Sequence, residues 1–322
     1  MAEPSLPEIF STLLPPLQVP QEFGDRDISD AEVISKLNDW KENTARNLSN
    51  LKDLIKQVNG SKLTPQESAK IIAVTAPFEG QGPWVDAESG KLAADILSEF
   101  SEPDVPTLTH LLSQHVKPVF QSNPHPSLNL STGRKLHRPA GGPMATQDFY
   151  ESQAWKKNPG ASNLVAWCVK HIKREDYDRL WYLVIPPVMT LLDDYQTYHK
   201  LQGVQIVLEL LQRVPKEVLK RTGLDGLLLT SLNTCLGQLD TMETPALIRG
   251  AILASLSLIL LTTDPGTSRQ FDQLCNLLGE GIIGTIWLYS SGKPDSILES
   301  LEALPPLIDA LGLGCCRYLK AS

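Results

Sequence analysis

The stretch Leu180-Trp-Tyr-Leu-Val-Ile-Pro-Pro-Val-Met-Thr-Leu-Leu-Asp-Asp194 decides the fold class. Its apolar residues recur at three- and four-residue spacing, which keeps one face of a helix inward, and they stop at two aspartates. After a polar turn, Lys200-Leu-Gln-Gly-Val-Gln-Ile-Val-Leu-Glu-Leu-Leu211 begins a second apolar helix. Pro187 stands early in the first helix, and Gly203 stands where two helices must approach closely. Leu192, Leu239 and Leu288 each end a first helix, 47 and 49 residues apart, and each is followed by a polar turn and another apolar run. Two-helix repeats of about 40–47 residues mark HEAT-type solenoids. The expectation is an all-α fold, a HEAT-like α-solenoid of helix pairs.

Outward from that stretch, helical periodicity covers 164–172, 180–192, 201–214, 224–239, 245–261, 268–289 and 295–311, with no sustained two-residue alternation. The N-terminal side reads differently. It holds 17 of the 51 leucines but 16 of the 24 prolines before Asn163. Ser29-Asp-Ala-Glu32 and Thr64-Pro-Gln-Glu67 read as capping boxes opening helices, the first of which ends at Asn59-Gly60. Shorter helices are expected over 91–100 and 105–120. From 121 to 162 the period dissolves into Asn-Pro, His-Pro and Gly-Gly-Pro clusters. Three regions follow: a helical, proline-interrupted N-terminal region at 1–120, a loop or linker at 121–162, and the repeat domain at 163–322.

The charge balance, 29 Lys and Arg against 37 Asp and Glu for a net −8, argues against nucleic-acid binding, which needs excess cations to displace phosphate counterions. Met1-Ala-Glu-Pro lacks a basic n-region with an apolar run behind it, so no secretory signal is read. The longest apolar stretch, 251–261, falls short of the roughly 20 residues a bilayer needs. Five cysteines form no disulfide framework in a chain this long. A cytoplasmic protein is expected, with the nucleus as a second compartment.

Chemistry-bearing patterns are few. Asp193-Asp194 resembles the aspartate-rich helix ends that hold magnesium in all-α isoprenoid enzymes, but the third acid of DDxxD is replaced by Thr197. Cys168-Val-Lys-His171 has ligand spacing at one end without a second pair. Gly279-Glu-Gly-Ile-Ile-Gly284 spells GxGxxG inside an apolar helix, whereas a dinucleotide site needs a strand before it. Cys315-Cys316 reads as small hydrophobes. No catalytic residue, metal site or cofactor is expected. The two Pro-Pro pairs, at 186–187 and 305–306, either kink a helix or mark a boundary between two helices.

The blocks Val184 to Asp194, Tyr198-His-Lys-Leu-Gln-Gly-Val204, Leu219-Lys-Arg-Thr-Gly-Leu224 and Leu307-Ile-Asp-Ala-Leu-Gly-Leu-Gly-Cys-Cys-Arg-Tyr-Leu-Lys320 share their order and spacing with the Tel-two-interacting protein two family. The chain resembles that family over about 155–320. The resemblance implies a non-catalytic scaffold subunit of the TTT (Tel-Tti-Tti) complex. That complex is a heat shock protein 90 co-chaperone assisting the maturation and stability of phosphatidylinositol-3-kinase-related kinases. The implied partners are the sister Tel and Tti subunits, the heat shock protein 90 machinery and those kinases, without nucleic acid or membrane. Members of the family continue past the last block, so the resemblance implies a repeat domain cut short at its C-terminal end. Candidate interface residues are Asp193, Asp194 and Lys200 at a repeat turn, and Arg317, Tyr318 and Lys320 in the last block, each equally suited to capping within the chain. The rival readings are another HEAT-repeat adaptor, a transport or phosphatase scaffold, and, less favoured, the magnesium-dependent isoprenoid enzyme.

Overall fold

The structure is a computed structural model; it describes residues 6–24, 28–58, 63–122, 124–140, 149–150 and 153–318. The chain divides into two compact units, Met1–Pro124 with Glu151–Ile172, and His125–Tyr150 with Lys173–Ser322. The fold is all-α. The strands among the described residues are two residues long each, β1 (Leu128–Asn129) and β2 (Arg134–Lys135), paired antiparallel.

The first unit carries α1 (Leu6–Leu13), α2 (Ala31–Val58), α3 (Pro65–Thr75), α4 (Ala87–Ser98), α5 (Val105–His110), α6 (Lys117–Phe120) and α7 (Ala161–His171). Local chemistry sets several of the starts. The Thr64 hydroxyl accepts from Glu67 N at 3.2 Å while the Glu67 carboxylate accepts from Thr64 N at 2.8 Å, the box expected for α3. At α2 the acceptor is one residue later than expected: Asp30 Oδ1, and not Ser29, takes the Glu32 N–H at 2.8 Å. The Asn59-Gly60 stop lies outside the described residues. α5 passes into α6 through a π-helical turn, Leu111–Val116.

The core of this unit is Leu48, Leu51 and Ile55 of α2, Ile71 and Ile72 of α3, Ile96 of α4 and Leu111 of the π turn. Each such side chain stabilises the fold by about 1.5–3 kcal/mol relative to an exposed position. α7 is tied in by polar contacts. Asn163 Nδ2 donates to the Pro77 carbonyl at 2.8 Å, and Trp84 Nε1 donates to the same oxygen at 3.0 Å.

The second unit carries the hairpin and α8 (Tyr177–Leu192), α9 (Thr197–Arg213), α10 (Lys216–Thr222), α11 (Leu224–Cys235), α12 (Thr244–Thr262), α13 (Ser268–Asn276), α14 (Pro294–Glu302) and α15 (Leu304–Leu311). α13 continues as a π-helical segment, Leu277–Trp287. The second helices of the sequence repeat pack in series, α9 on α12 and α12 on α14, while α8 packs on α9 and α11 on α12.

The two Pro-Pro pairs part company here. Pro186 and Pro187 lie inside a continuous α8, whereas Pro305 and Pro306 occupy the first turn of α15, where a missing N–H leaves no helical bond unmade. α12 exceeds the apolar stretch read from sequence. Its 19 residues have a mean hydropathy of 1.8 over a membrane-length window, of which 61% is buried inside the fold. A helix apolar on every side is what a position between α9, α11 and α14 requires.

The interval 121–162, read as a loop or linker, contains structure. Residues 125–140 build the hairpin loop of the second unit, and Ala154–Lys157 forms a 3-10 turn of the first. Ala161–His171, expected within the repeat domain, packs with the first unit.

Candidate functional site

The α8–α9 turn carries three of the residues singled out from sequence, and its geometry follows from the helix end. The last carbonyls of α8 have no helical donors. The Leu192 carbonyl accepts from Lys200 Nζ at 3.0 Å. Lys200 is 5% exposed, so its stem runs through the interior to place the ammonium on that oxygen. A Cβ on Gly203 would stand 2.6 Å from Leu192 Cα, which makes glycine a requirement of the close α8–α9 approach. Beyond the end of α11 a second lysine meets the chain, Lys293 Nζ donating to the Leu239 carbonyl at 2.5 Å and to Asp240.

Asp194 is fully buried and its Oδ1 accepts from Gln196 N at 2.7 Å, an Asx turn that redirects the chain into α9. Asp193 Oδ2 accepts from Ser231 Oγ of α11 at 3.0 Å and sits 2.8 Å from His125 Nε2 on the hairpin loop. His125 Nδ1 accepts from Ser127 N at 3.2 Å, so the network assigns the ring proton to Nε2, which donates to Asp193. A Ser, a His and an Asp therefore meet here, but serine and imidazole address the same carboxylate oxygen. Among the described residues no hydrogen bond joins the imidazole to the serine hydroxyl, the contact on which a Ser-His-Asp triad depends. The cluster joins hairpin, α8 and α11.

Burial raises the acidities' pKa values around this cluster. The Cys235 thiol is pushed up to about 12, by desolvation first, with Lys200 opposing and Asp193 reinforcing the shift. Tyr150 is raised by burial and then by the charges of Asp193 and Asp194. Of these candidates for an interface or for internal capping, Asp194 and Lys200 are buried and Asp193 is half-buried, and all three cap or bridge within the fold. Among the described residues no three His, Cys, Asp or Glu side chains cluster closely enough to hold a metal ion.

Arg317 and Tyr318 belong to a different place, the 3-10 segment Gly312–Tyr318. The Tyr318 hydroxyl donates to the Cys275 carbonyl at 3.0 Å, and its ring covers Gly279, where a Cβ would come within 2.9 Å of the hydroxyl oxygen. Arg317 is exposed, and its guanidinium carbon stands 5.5 Å from the centre of the Tyr318 ring. Gly279 of the GxGxxG pattern thus seats an aromatic ring, and Gly281 lies against Leu236. Lys320 lies outside the described residues.

The sequence reading passed over α14. This helix buries its serines and exposes its leucines: Ser296 and Ser300 are within the fold, whereas Leu298 is 54% and Leu301 46% exposed. Ser300 Oγ accepts from Trp287 Nε1 at 2.9 Å, which fixes the serine face inward. Ile308 of α15 is exposed as well. Between Pro294 and Leu311 the chain has Asp295, Glu299, Glu302 and Asp309 but no Lys or Arg, and Arg249 of α12 pairs with Glu299 at 3.2 Å and Glu302 at 2.7 Å. An exposed apolar face with an acidic border is a feature of protein-binding surfaces. The signal was present as leucines three apart, flanked by small residues four apart.

Residues 71–322 match the model of the Tti2 family. The chain belongs to the Tti2 family. Among curated proteins it is similar to TELO2-interacting protein 2 of Mus musculus and of Rattus norvegicus, each 30% identical over 63 residues. Those residues are 20% of this chain and 12% of either relative, so the chain matches only a small part of their length. No solved structure matches. The Tti2-family match runs from the second half of α3 through α7 and the second unit, a wider span than 155–320.

Proposed function

We propose that this Tti2-family chain is a non-catalytic scaffold subunit of the TTT complex, a co-chaperone of heat shock protein 90 in the maturation and stability of phosphatidylinositol-3-kinase-related kinases. Family membership over 71–322 carries the reading. The relatives' printed name, an interactor of TELO2, points to the sister Tel subunit as a direct partner. The polar residues that resembled a magnesium site have internal duties, and stacked helix pairs offer extended surface for holding partners. The outward face of α14 is the surface this reading assigns to a sister subunit. Its leucines supply apolar contact, and Asp295 at its start, with Asp309 on α15, adds negative charge beside them, Glu299 and Glu302 being paired with Arg249 of α12. The protein would act in the cytoplasm and the nucleus.

Affinity purification of the tagged full chain from cells, read by mass spectrometry, is expected to recover the sister Tel and Tti subunits. Recovery of neither sinks the proposal. The double substitution Leu298→Glu, Leu301→Glu is expected to reduce that recovery by about ten-fold or more without lowering the melting temperature. Undiminished recovery would move the interface elsewhere.

A further inference from the structure

The first unit holds a cleft of about 690 Å³ bounded by α1 and the turn after it, by α3, by the π turn and by the segment 157–161. Ligand sites typically span about 300–1,000 Å³. Its floor is apolar and buried, with Leu14, Val116, Phe120 and Leu164. Its rim is cationic. Lys70 and Lys157 are exposed on it and His115 stands half-buried between floor and rim.

The one carboxylate in the lining, Glu67, is already engaged: its Oε2 accepts from the backbone N–H and the hydroxyl of Thr64. Among the described residues Lys70, His115 and Lys157 have no ion pair. Burial holds the His115 pKa below its usual value, and the charges of Lys70 and His110 lower it further. The cleft therefore sets three basic side chains, Lys70, His115 and Lys157, above an apolar floor against the single carboxylate of Glu67.

Two further features bear on the occupant. His115 is presented by a π-helical turn, an irregularity frequent at functional sites. Pro15, Pro77, Pro118 and Pro159 line the walls, so backbone N–H donors are scarce and recognition rests on side chains. The rim is open, with Ser11, Gln18, Gln114 and Asn158 exposed along it. A chain segment crossing the cleft fits that openness.

We propose that this cleft is a docking site for an acidic peptide segment of a partner protein, one that sets a large apolar side chain on the Leu14–Leu164 floor with Asp or Glu side chains beside Lys70, His115 and Lys157. The site is separate from the α14 face, and the TTT assignment is not needed for it.

The test is selection of a phage-displayed random dodecapeptide library on the full chain, with counter-selection on the full-length variant Lys70→Glu, Lys157→Glu. Both lysines are exposed, so the variant is expected to keep the wild-type circular dichroism spectrum and melting temperature. Surviving peptides should carry Asp or Glu next to Leu, Phe or Trp. A fluorescein-labelled synthetic copy should bind the wild type and lose about ten-fold or more in affinity on the double variant and on Val74→Arg, which places a long side chain in the cleft from a half-buried lining position of α3. In nuclear magnetic resonance titrations the His115 pKa should move up when the peptide is bound, because a nearby carboxylate favours the charged imidazole. No survivor of counter-selection, survivors without acidic residues, equal affinity for the variants, or an unmoved His115 would each overturn the proposal.

Discussion

Lys200 shows how a single side chain holds a repeat turn. Its ammonium takes the place of the helical donor that the Leu192 carbonyl lacks, in surroundings that also contain Asp193. Lys200→Met keeps the apolar stem and removes that donor. It is expected to destabilise the protein by about 1–3 kcal/mol, the usual loss when a buried acceptor is orphaned, as a lower urea midpoint with unchanged slope. Gly203→Ala is expected to cost about as much through overpacking, because the neighbour in the way is the Leu192 backbone and not a movable side chain. A thiol-reactivity experiment tests burial directly. Cys316 is exposed and should label quickly in the native protein, whereas Cys168 and Cys235, fully buried with pKa values raised by burial, should label only on unfolding. Sequence identified the turn around Asp193 and Lys200 correctly as a turn. The partners of Asp193 were not legible, because His125 and Ser231 stand 68 and 38 positions from it.

Among the helices, α14 departs furthest from what apolar spacing alone implies. Spacing identifies a helix, but the side it buries is chosen by what it packs on, and α12 with the Trp287 indole selects the serine face. Leu298→Ser with Leu301→Ser is therefore expected to leave thermal stability within about 0.5 kcal/mol of wild type. Ser300→Ala, which deprives the Trp287 N–H of its acceptor, is expected to lose about 1 kcal/mol or more, measured by the same denaturation curves. If the leucine pair proved the more destabilising, α14 would be packed the other way round. The helix read over 268–289 was legible as helix, but its widening to π geometry was not. That widening coincides with Gly279, Gly281 and Gly284, which admit the Tyr318 ring, Leu236 and the Gly279 carbonyl respectively. Tyr318 and Leu236 lie outside that segment, which local pattern does not reveal.

At the scale of the chain, the all-α class was legible because helical period is local and repeats in every segment from 164 to 311. The hairpin at 128–135 escaped notice because two-residue strands leave no alternation to read. Its place is set by Trp181 Nε1 donating to the Gly133 carbonyl at 3.0 Å, a contact within the second unit that sequence spacing does not announce. The central helix α12 poses the sharpest question at this scale, because length and composition alone allow it to cross a membrane. Its surroundings provide a different reason for the same composition. Leu247, Ile248, Ala251, Ile252, Ala254, Leu258 and Ile259 are all buried, against helices on several sides. The expected outcome of detergent phase partitioning is recovery of the native chain in the aqueous phase. Ile252→Asp places a carboxylate at a fully buried position; it is expected to destabilise the protein by at least about 4 kcal/mol and to move the chain into the aggregated fraction. A lipid-facing helix would behave otherwise. The wild type would then partition into detergent, and the substitution would act on insertion while leaving the packing of α9 and α14 undisturbed. Joint measurement of partitioning and solubility separates the two, since a core helix alone combines an aqueous wild type with a variant that cannot stay folded.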